Sequence, residues 1–299
     1  MTEYVLSVSK LQRKGLRNAW EYLLALPASL LIGGLILIVY VLVAIFADQI
    51  ALFSYNKIGT GAPFSQPSWE HYLGTDQLGR DVFSRVVHGT RYVLVLSVSG
   101  TALGLVVGGL VGLIGGYLGG LFDEVVMRIS EVFISIPFIV LALLVIAAAG
   151  PELSGNPLLL IGVIAIVYVP RSARMARAVA IEVSTRDFIT VARLRGENAW
   201  SIVLRELLPM TTGTLLVEFS VRAGYAPVLI GSLGFLGFGA KPPSPEWGLM
   251  ISENRNAITI APWTVLGPGL ALALLVVGLN FCTEGIARVM GRSVQRAPV

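Results

Sequence analysis

Three stretches of this sequence, Leu23–Ala47, Tyr92–Tyr117 and Trp263–Cys282, run for about 20 residues or more without a charged side chain. A hydrocarbon layer of about 30 Å needs roughly 20 apolar helical residues per crossing. Inside it the backbone must satisfy its own hydrogen bonds, which a helix does. The three runs therefore read as membrane spans. Composition agrees: 13% of the residues are charged and 55% are apolar, whereas soluble domains carry about a quarter charged. A cleaved secretory signal has an apolar centre of only about 7–15 residues. Leu23–Ala47 is longer and follows a basic start (Lys10, Arg13, Lys14, Arg17), so it reads as a retained span.

Three further spans complete a set of six. Ile129–Ala149 is apolar after Glu131, and its Pro137 is tolerable if neighbouring helices satisfy the freed carbonyl. Leu158–Val169 is too short alone; continued to Ala180 it suffices, with Arg171, Arg174 and Arg177 snorkelling at the headgroups. Leu207–Ile230 is apolar apart from Glu218 and Arg222. With the N-terminus inside, fifteen lysines and arginines fall on inner segments and six on outer ones. The bias of positive charge toward the cytoplasm then places both termini inside. This divides the chain into a cytoplasmic tail (1–22), a first span (23–47), an extracytoplasmic segment (48–91), a core (92–285) and a cytoplasmic tail (286–299).

Gly100, Gly104, Gly108, Gly112 and Gly116 recur every fourth residue along the second span. Such a stripe lets another backbone approach closely; a pore-lining groove is the alternative. In the extracytoplasmic segment, Arg80–His88 reads as an amphipathic helix resting in the interface. Val82, Phe83, Val86 and Val87 share one face, and Asp81 and Arg85 form an i,i+4 pair on the other. The lone Cys282 excludes an intrachain disulfide and reads as a packing residue. His71 and His88 have no metal-ligand spacing, so no metal site is expected.

The longest inner connection, Arg171 to about Glu206, has helical organisation of its own. Ser184 or Thr185 is placed to cap a helix, with Asp187 in its first turn. Gly196 is placed to end that helix in a left-handed turn, and Asn198 to cap the next. A short helix leading through a glycine into a span is a lever; a solvated basic loop is the alternative. Glu218 and Arg222, four residues apart, share a helix face inside the fifth span. Intramembrane charges usually face a partner or a cavity, so the pair reads either as a structural ion pair or as lining for a solute path.

Four blocks resemble the second (C-type) permease subunit of oligopeptide and dipeptide ABC importers, over residues 70–292. They are Leu73–Arg85 (LGTDQLGRDVFSR), Gly115-Gly116-Tyr117 with Asp123 and Met127-Arg128, Ser232–Gly239 (SLGFLGFG) followed by Pro242–Gly248 (PPSPEWG), and the cytoplasmic loop. The resemblance implies an all-α membrane protein of six transmembrane helices with the type I ABC importer permease fold. It also implies a coupling helix between spans 4 and 5 that docks on an ATPase through Arg186, Asp187, Phe188, Ile189, Thr190, Ala192, Arg193, Gly196 and Glu197. Ala192 and Gly196 match the family element, whereas Thr190 stands where glutamate is usual, Glu206 where histidine is and Met210 where asparagine is. The implied partners are a homologous second permease, two ATPase subunits and an extracytoplasmic solute-binding protein in a bacterial inner membrane. The chain has no Gly-x-x-x-x-Gly-Lys-Ser/Thr loop, so ATP and Mg²⁺ would be bound by the partner ATPases and no cofactor by this chain. The expected cargo is a peptide-like or similar small polar solute. A sugar, an opine or chelated nickel on the same machinery is an alternative. A secondary carrier is a weaker one, since no internal repeat is visible. No cluster of side chains suited to intramembrane catalysis presents itself.

Overall fold

The computed structural model describes residues 26–295, with side chains through Val289. The expected tail 1–22, the first three residues of the expected first span and residues 296–299 lie outside the described residues. The described chain is helical, and apart from one isolated bridge between Thr75 and Asp81 it contains no β-structure. The helices are α1 (Ala28–Ile45), α2 (Ala47–Ile50), α3 (Val82–Leu118), α4 (Gly120–Ser135), α5 (Phe138–Ala149) and α6 (Pro157–Ser184). They continue as α7 (Asp187–Leu194), α8 (Ala199–Ile202), α9 (Leu208–Phe235), α10 (Trp247–Asn254) and α11 (Trp263–Gln295).

Five helical runs are long and apolar enough to cross a membrane: α1, α3, α6, α8 through α9, and α11. The sixth crossing is a broken one. The expected continuous span 129–149 is instead split between α4 and α5, which meet at 101°. Pro137 has no N–H to continue the ladder, and it pushes Ile136 into extended backbone (ψ 130). Pro170, Pro227 and Pro268 lie within α6, α9 and α11 without ending them. Between α8 and α9 the chain makes a π-helical turn, Val203–Leu207, so the fifth crossing runs without interruption from the cytoplasmic loop.

The glycine stripe of α3 lies against α6 along its length. A Cβ added at Gly108 would sit 2.5 Å from the Val169 carbonyl oxygen, and one at Gly116 2.7 Å from that of Arg177. At Gly100, Gly104 and Gly112 the neighbours are Ile164, Ala165 and Ala173. The residues met on α6 advance by about one turn for each turn of α3, so the two backbones run side by side. Around this pair, Leu141, Leu160, Ile164, Leu229 and Ile230 form a core where α3, α5, α6 and α9 meet. A second core toward the cytoplasmic loop joins Leu113, Ala176, Ala180, Ile189, Ala192 and Leu207. The outer helix α1 buries only Gly33, which sits on α11 beside Gly278 and Cys282.

The surface-lying helix expected at Arg80–His88 is not a separate element. Val82 onward forms the outer turns of α3, and the polar face is turned inward: Ser84 and Arg85 are fully buried. Periodicity identified two faces but could not say which one another segment covers. In this case the covering segment supplies charges that suit the polar face.

The close α3–α6 approach predicts a steep dependence on side-chain size. Gly108→Val drives a side chain into α6 and should cost about 1–3 kcal/mol, the usual range for overpacking. Gly162→Val, where an added Cβ meets nothing within 4 Å, is the control. Thermal unfolding of the purified subunit in detergent reads the difference, and equal midpoints for the two variants would contradict the packing described.

Candidate functional site

The intramembrane charges come together through α6 and α9. Arg222 Nε donates to Glu218 Oε1 at 2.7 Å, and Glu218 is nine-tenths buried. On insertion scales a charge at the bilayer centre costs about 2.5–3.5 kcal/mol, and the pairing offsets part of this for both groups. Arg222 also lines a pocket of about 180 Å³ with Phe138, Tyr168, Arg171 and Tyr225. Arg171, expected at the headgroups, is thus one of the residues around this pocket. α6 continues to Ser184, which leaves Arg171 about 21 Å from the outer helix end at 1.5 Å per residue. Its Nη1 donates to the Val167 carbonyl (3.1 Å), one turn back toward the outer face. Arg177, by contrast, makes a two-point ion pair with Asp123 of α4, both contacts at 2.5 Å. This binds the start of the broken crossing to α6.

The connection between α6 and α9 is built as a rigid corner. α7 begins after Arg186, which makes no side-chain cap. Ser184 and Thr185 do not cap it, contrary to the sequence reading. Ser184 still belongs to α6, and the Thr185 hydroxyl donates backward to the Glu182 carbonyl. At the other end Gly196 is left-handed (φ +75). The Gly196 N–H donates to the Arg193 carbonyl (3.0 Å) and the Glu197 N–H to the Ala192 carbonyl (3.2 Å), the paired bonds of a Schellman turn. Asn198 Oδ1 then accepts from the Ser201 N–H (2.7 Å), starting α8. Ile189 and Ala192 face inward onto Leu113, Ala176 and Ala180. Phe188, Thr190, Val191 and Leu194 face outward, and Leu194 is 83% exposed. Arg193 lies over the Tyr117 ring (4.9 Å), and Glu197 accepts from the Ser201 hydroxyl (2.9 Å), so both fix the corner internally. Arg186 and Asp187 are exposed at its start.

The LGTDQLGRDVFSR block forms a buried ionic clamp. Asp76 Oδ2 accepts from Arg80 Nε (2.6 Å) and Arg85 Nη1 (2.8 Å), while Glu253 Oε2 accepts from Arg80 Nη2 (2.8 Å) and Arg85 Nη1 (3.0 Å). Asp81 does not pair with Arg85 as its i,i+4 spacing implied. It caps α3 through the Ser84 N–H (2.7 Å) and meets His71 Nδ1 (2.9 Å). His88 Nε2 faces Asp48 at 3.3 Å. The glycines of the SLGFLGFG and PPSPEWG stretches make room for α10. A Cβ at Gly234 or Gly248 would strike the Glu246 carboxylate or the Gly231 carbonyl, respectively. Glu246, fully buried, caps α10 by accepting the Gly248 and Leu249 N–H groups, each at 2.7 Å. No group of three or more His, Cys, Asp or Glu side chains that could hold a metal occurs among the described residues.

Glu246 and Glu253 were not singled out from the sequence, and Arg171 was read there only as a headgroup residue. Glu253 finds its partners, Arg80 and Arg85, far away in the chain, whereas Glu246 caps its own helix through Gly248 and Leu249.

Burial pushes the Glu246 carboxyl up from the ordinary 4.5 to about 7, against the two backbone N–H groups that favour its charged form. The folded value is above the unfolded one, so the proton is held more tightly in the folded state. The stabilisation this supplies is fully present below about pH 4.5 and lost as pH rises through about 7. It amounts to at most about 3.5 kcal/mol. Glu246→Gln should flatten the fall in thermal stability of the detergent-purified subunit over that interval. An unchanged slope would assign the pH dependence elsewhere.

Sequence comparison places these features in a known class. The family described as "Binding-protein-dependent transport system inner membrane component" matches residues 100–296. The dipeptide transport system permease protein DppC of Alkalihalophilus pseudofirmus is 38% identical over 86% of this chain and 83% of its own length. The glutathione transport system permease protein GsiD of Pectobacterium atrosepticum is 35% identical over 85% of this chain and 83% of its own. The probable D,D-dipeptide transport system permease protein DdpC of Escherichia coli is 35% identical over 85% and 84%, respectively. With two thirds of its length in the family pattern and full-length relatives at this identity, the chain belongs to the inner-membrane permease subunits of binding-protein-dependent ABC importers, as a non-catalytic, multi-pass component.

Proposed function

We propose that this subunit conducts a short peptide or peptide-like solute into the cytoplasm. A homologous second permease would complete the path, an extracytoplasmic binding protein would deliver the solute, and two partner ATPase subunits would bind ATP and Mg²⁺. The relatives named for dipeptide and glutathione transport support the solute class. The cytoplasmic corner supports the coupling role and is the observation that carries it. α7 presents Leu194, Val191 and Phe188 outward while Ile189 and Ala192 key it into the core of α3, α6 and α9. A push on the exposed face is thereby delivered to the membrane helices rather than absorbed in a loop. Both termini lie in the cytoplasm in this reading, as the lysine and arginine bias requires.

Glu218 and Arg222 line the solute path in the same reading. Their support is the pocket that Arg222 shares with Arg171 and two tyrosines, since a pair serving only to join helices needs no such opening.

Three experiments test these assignments. Cysteines at Asn56 and Leu194 should be reached by an impermeant thiol reagent from opposite sides of the membrane, Asn56 from outside. Labelling of Leu194→Cys from outside would reverse the orientation and remove the docking role. Gly196→Val places a β-branched residue at left-handed φ, strained by about 1–2 kcal/mol. It should leave the subunit in the membrane but uncouple ATP hydrolysis from uptake; full coupling in that variant would refute the lever. Exchanging the charges, Glu218→Arg with Arg222→Glu, should permit assembly and alter uptake. Normal uptake of the same solutes would take the pair out of the path.

A further inference from the structure

We propose that Arg171, with Tyr168 and Tyr225, forms a subsite for the carboxylate of the travelling solute. This inference rests on the reading of Glu218 and Arg222 as path-lining residues. The pocket is lined by two guanidinium groups, Arg171 and Arg222. Glu218 pairs with Arg222 alone, and among the described residues no carboxylate lies within ion-pair distance of Arg171. The site therefore carries one positive charge in excess. Arg171 spends one N–H on the Val167 carbonyl, which leaves the rest of its donor fork for a ligand.

Depth and shape agree with that role. Counted from their outer ends, Arg171 on α6 and Arg222 on α9 both lie about 20 Å along the helix. They meet at one level in the membrane, where an uncompensated cation is retained chiefly when it faces a cavity or a counter-charge. Neither Tyr168 nor Tyr225 has a hydrogen-bond partner for its hydroxyl among the described residues, and both rings face the same opening. A guanidinium presents parallel donors that match a carboxylate, and two phenols add neutral donors beside it. Phe138, at the start of α5 just beyond the break at Pro137, closes one wall with an apolar ring. The pocket, at about 180 Å³, has room for a terminal carboxylate and its adjoining residue.

The test uses the assembled importer in proteoliposomes, given trialanine or its C-terminal amide through the cognate binding protein. Affinities of the two peptides for the binding protein are measured first, so that uptake is compared at equal occupancy. The acid should enter about tenfold faster than the amide, the scale of one hydrogen-bonded charge contact. Arg171→Gln should bring the ratio close to one, and Arg171→Lys, which keeps the charge, should retain most of it. Equal uptake of acid and amide by the unaltered importer overturns the subsite without recourse to any variant. So does an undiminished ratio in Arg171→Gln. If the Glu218/Arg222 charge exchange alters uptake while acid and amide are equivalent, the path reading stands and only the carboxylate role falls. Normal uptake after the exchange removes the path reading beneath it.

Discussion

Along five turns of α3 no side chain separates that helix from α6, because the positions in between are glycine. In lipid there is little hydrophobic drive to bring two apolar helices together. Close packing of small residues, with the dispersion contacts it allows, is what holds them. The geometry of the remaining elements follows from this contact. It fixes the height and rotation of α6, and α6 carries Tyr168 and Arg171 toward α9, Arg177 toward Asp123 of α4, and Ala176 and Ala180 beneath the cytoplasmic corner. A displacement of α6 along α3 would have to carry these groups together.

Charges are treated differently at the two levels of the molecule. In the clamp at the start of α3, two arginines face two carboxylates and the buried cluster is neutral. Removing one partner of such a cluster leaves a stranded charge and typically costs about 3–5 kcal/mol. The clamp thus ties the segment after the first span to α10 and holds the outer end of α3. In the membrane the balance is incomplete, with two arginines and one glutamate about the pocket. A structural site gains nothing from leaving such a charge without a counter-charge, whereas a conducting site can make use of it.

The corner between α6 and α8 is equally economical in its physics. One left-handed glycine, two backbone hydrogen bonds and one asparagine cap define its angle, while Arg193 on Tyr117 pins it to the end of α3. The π-helical turn at Val203–Leu207 lies between this corner and the fifth crossing, with Val203 and Leu207 buried in the same core. The exposed face of α7 is therefore joined to the ion pair on α9 through the Gly196 turn and one continuous helical run from Ala199.

Much of this protein follows from its sequence alone. The long uncharged runs determined that the chain is helical and crosses a membrane, because a lipid-exposed backbone has no other way to satisfy its polar groups. The glycine period, the left-handed position of Gly196, the Asn198 cap and the reach of Arg222 to Glu218 are local consequences of helical spacing. They could be read without knowing what lies nearby. What only the tertiary structure decided depends on partners distant in the chain. The polar face of Val82–His88 is buried because Asp76 and Glu253 meet it. Pro137 breaks its helix where Pro170 does not, although both interrupt apolar runs. Arg171 lines a pocket because α9 brings a second arginine, Arg222, beside it. A helical period states which residues share a face; only packing states what that face meets.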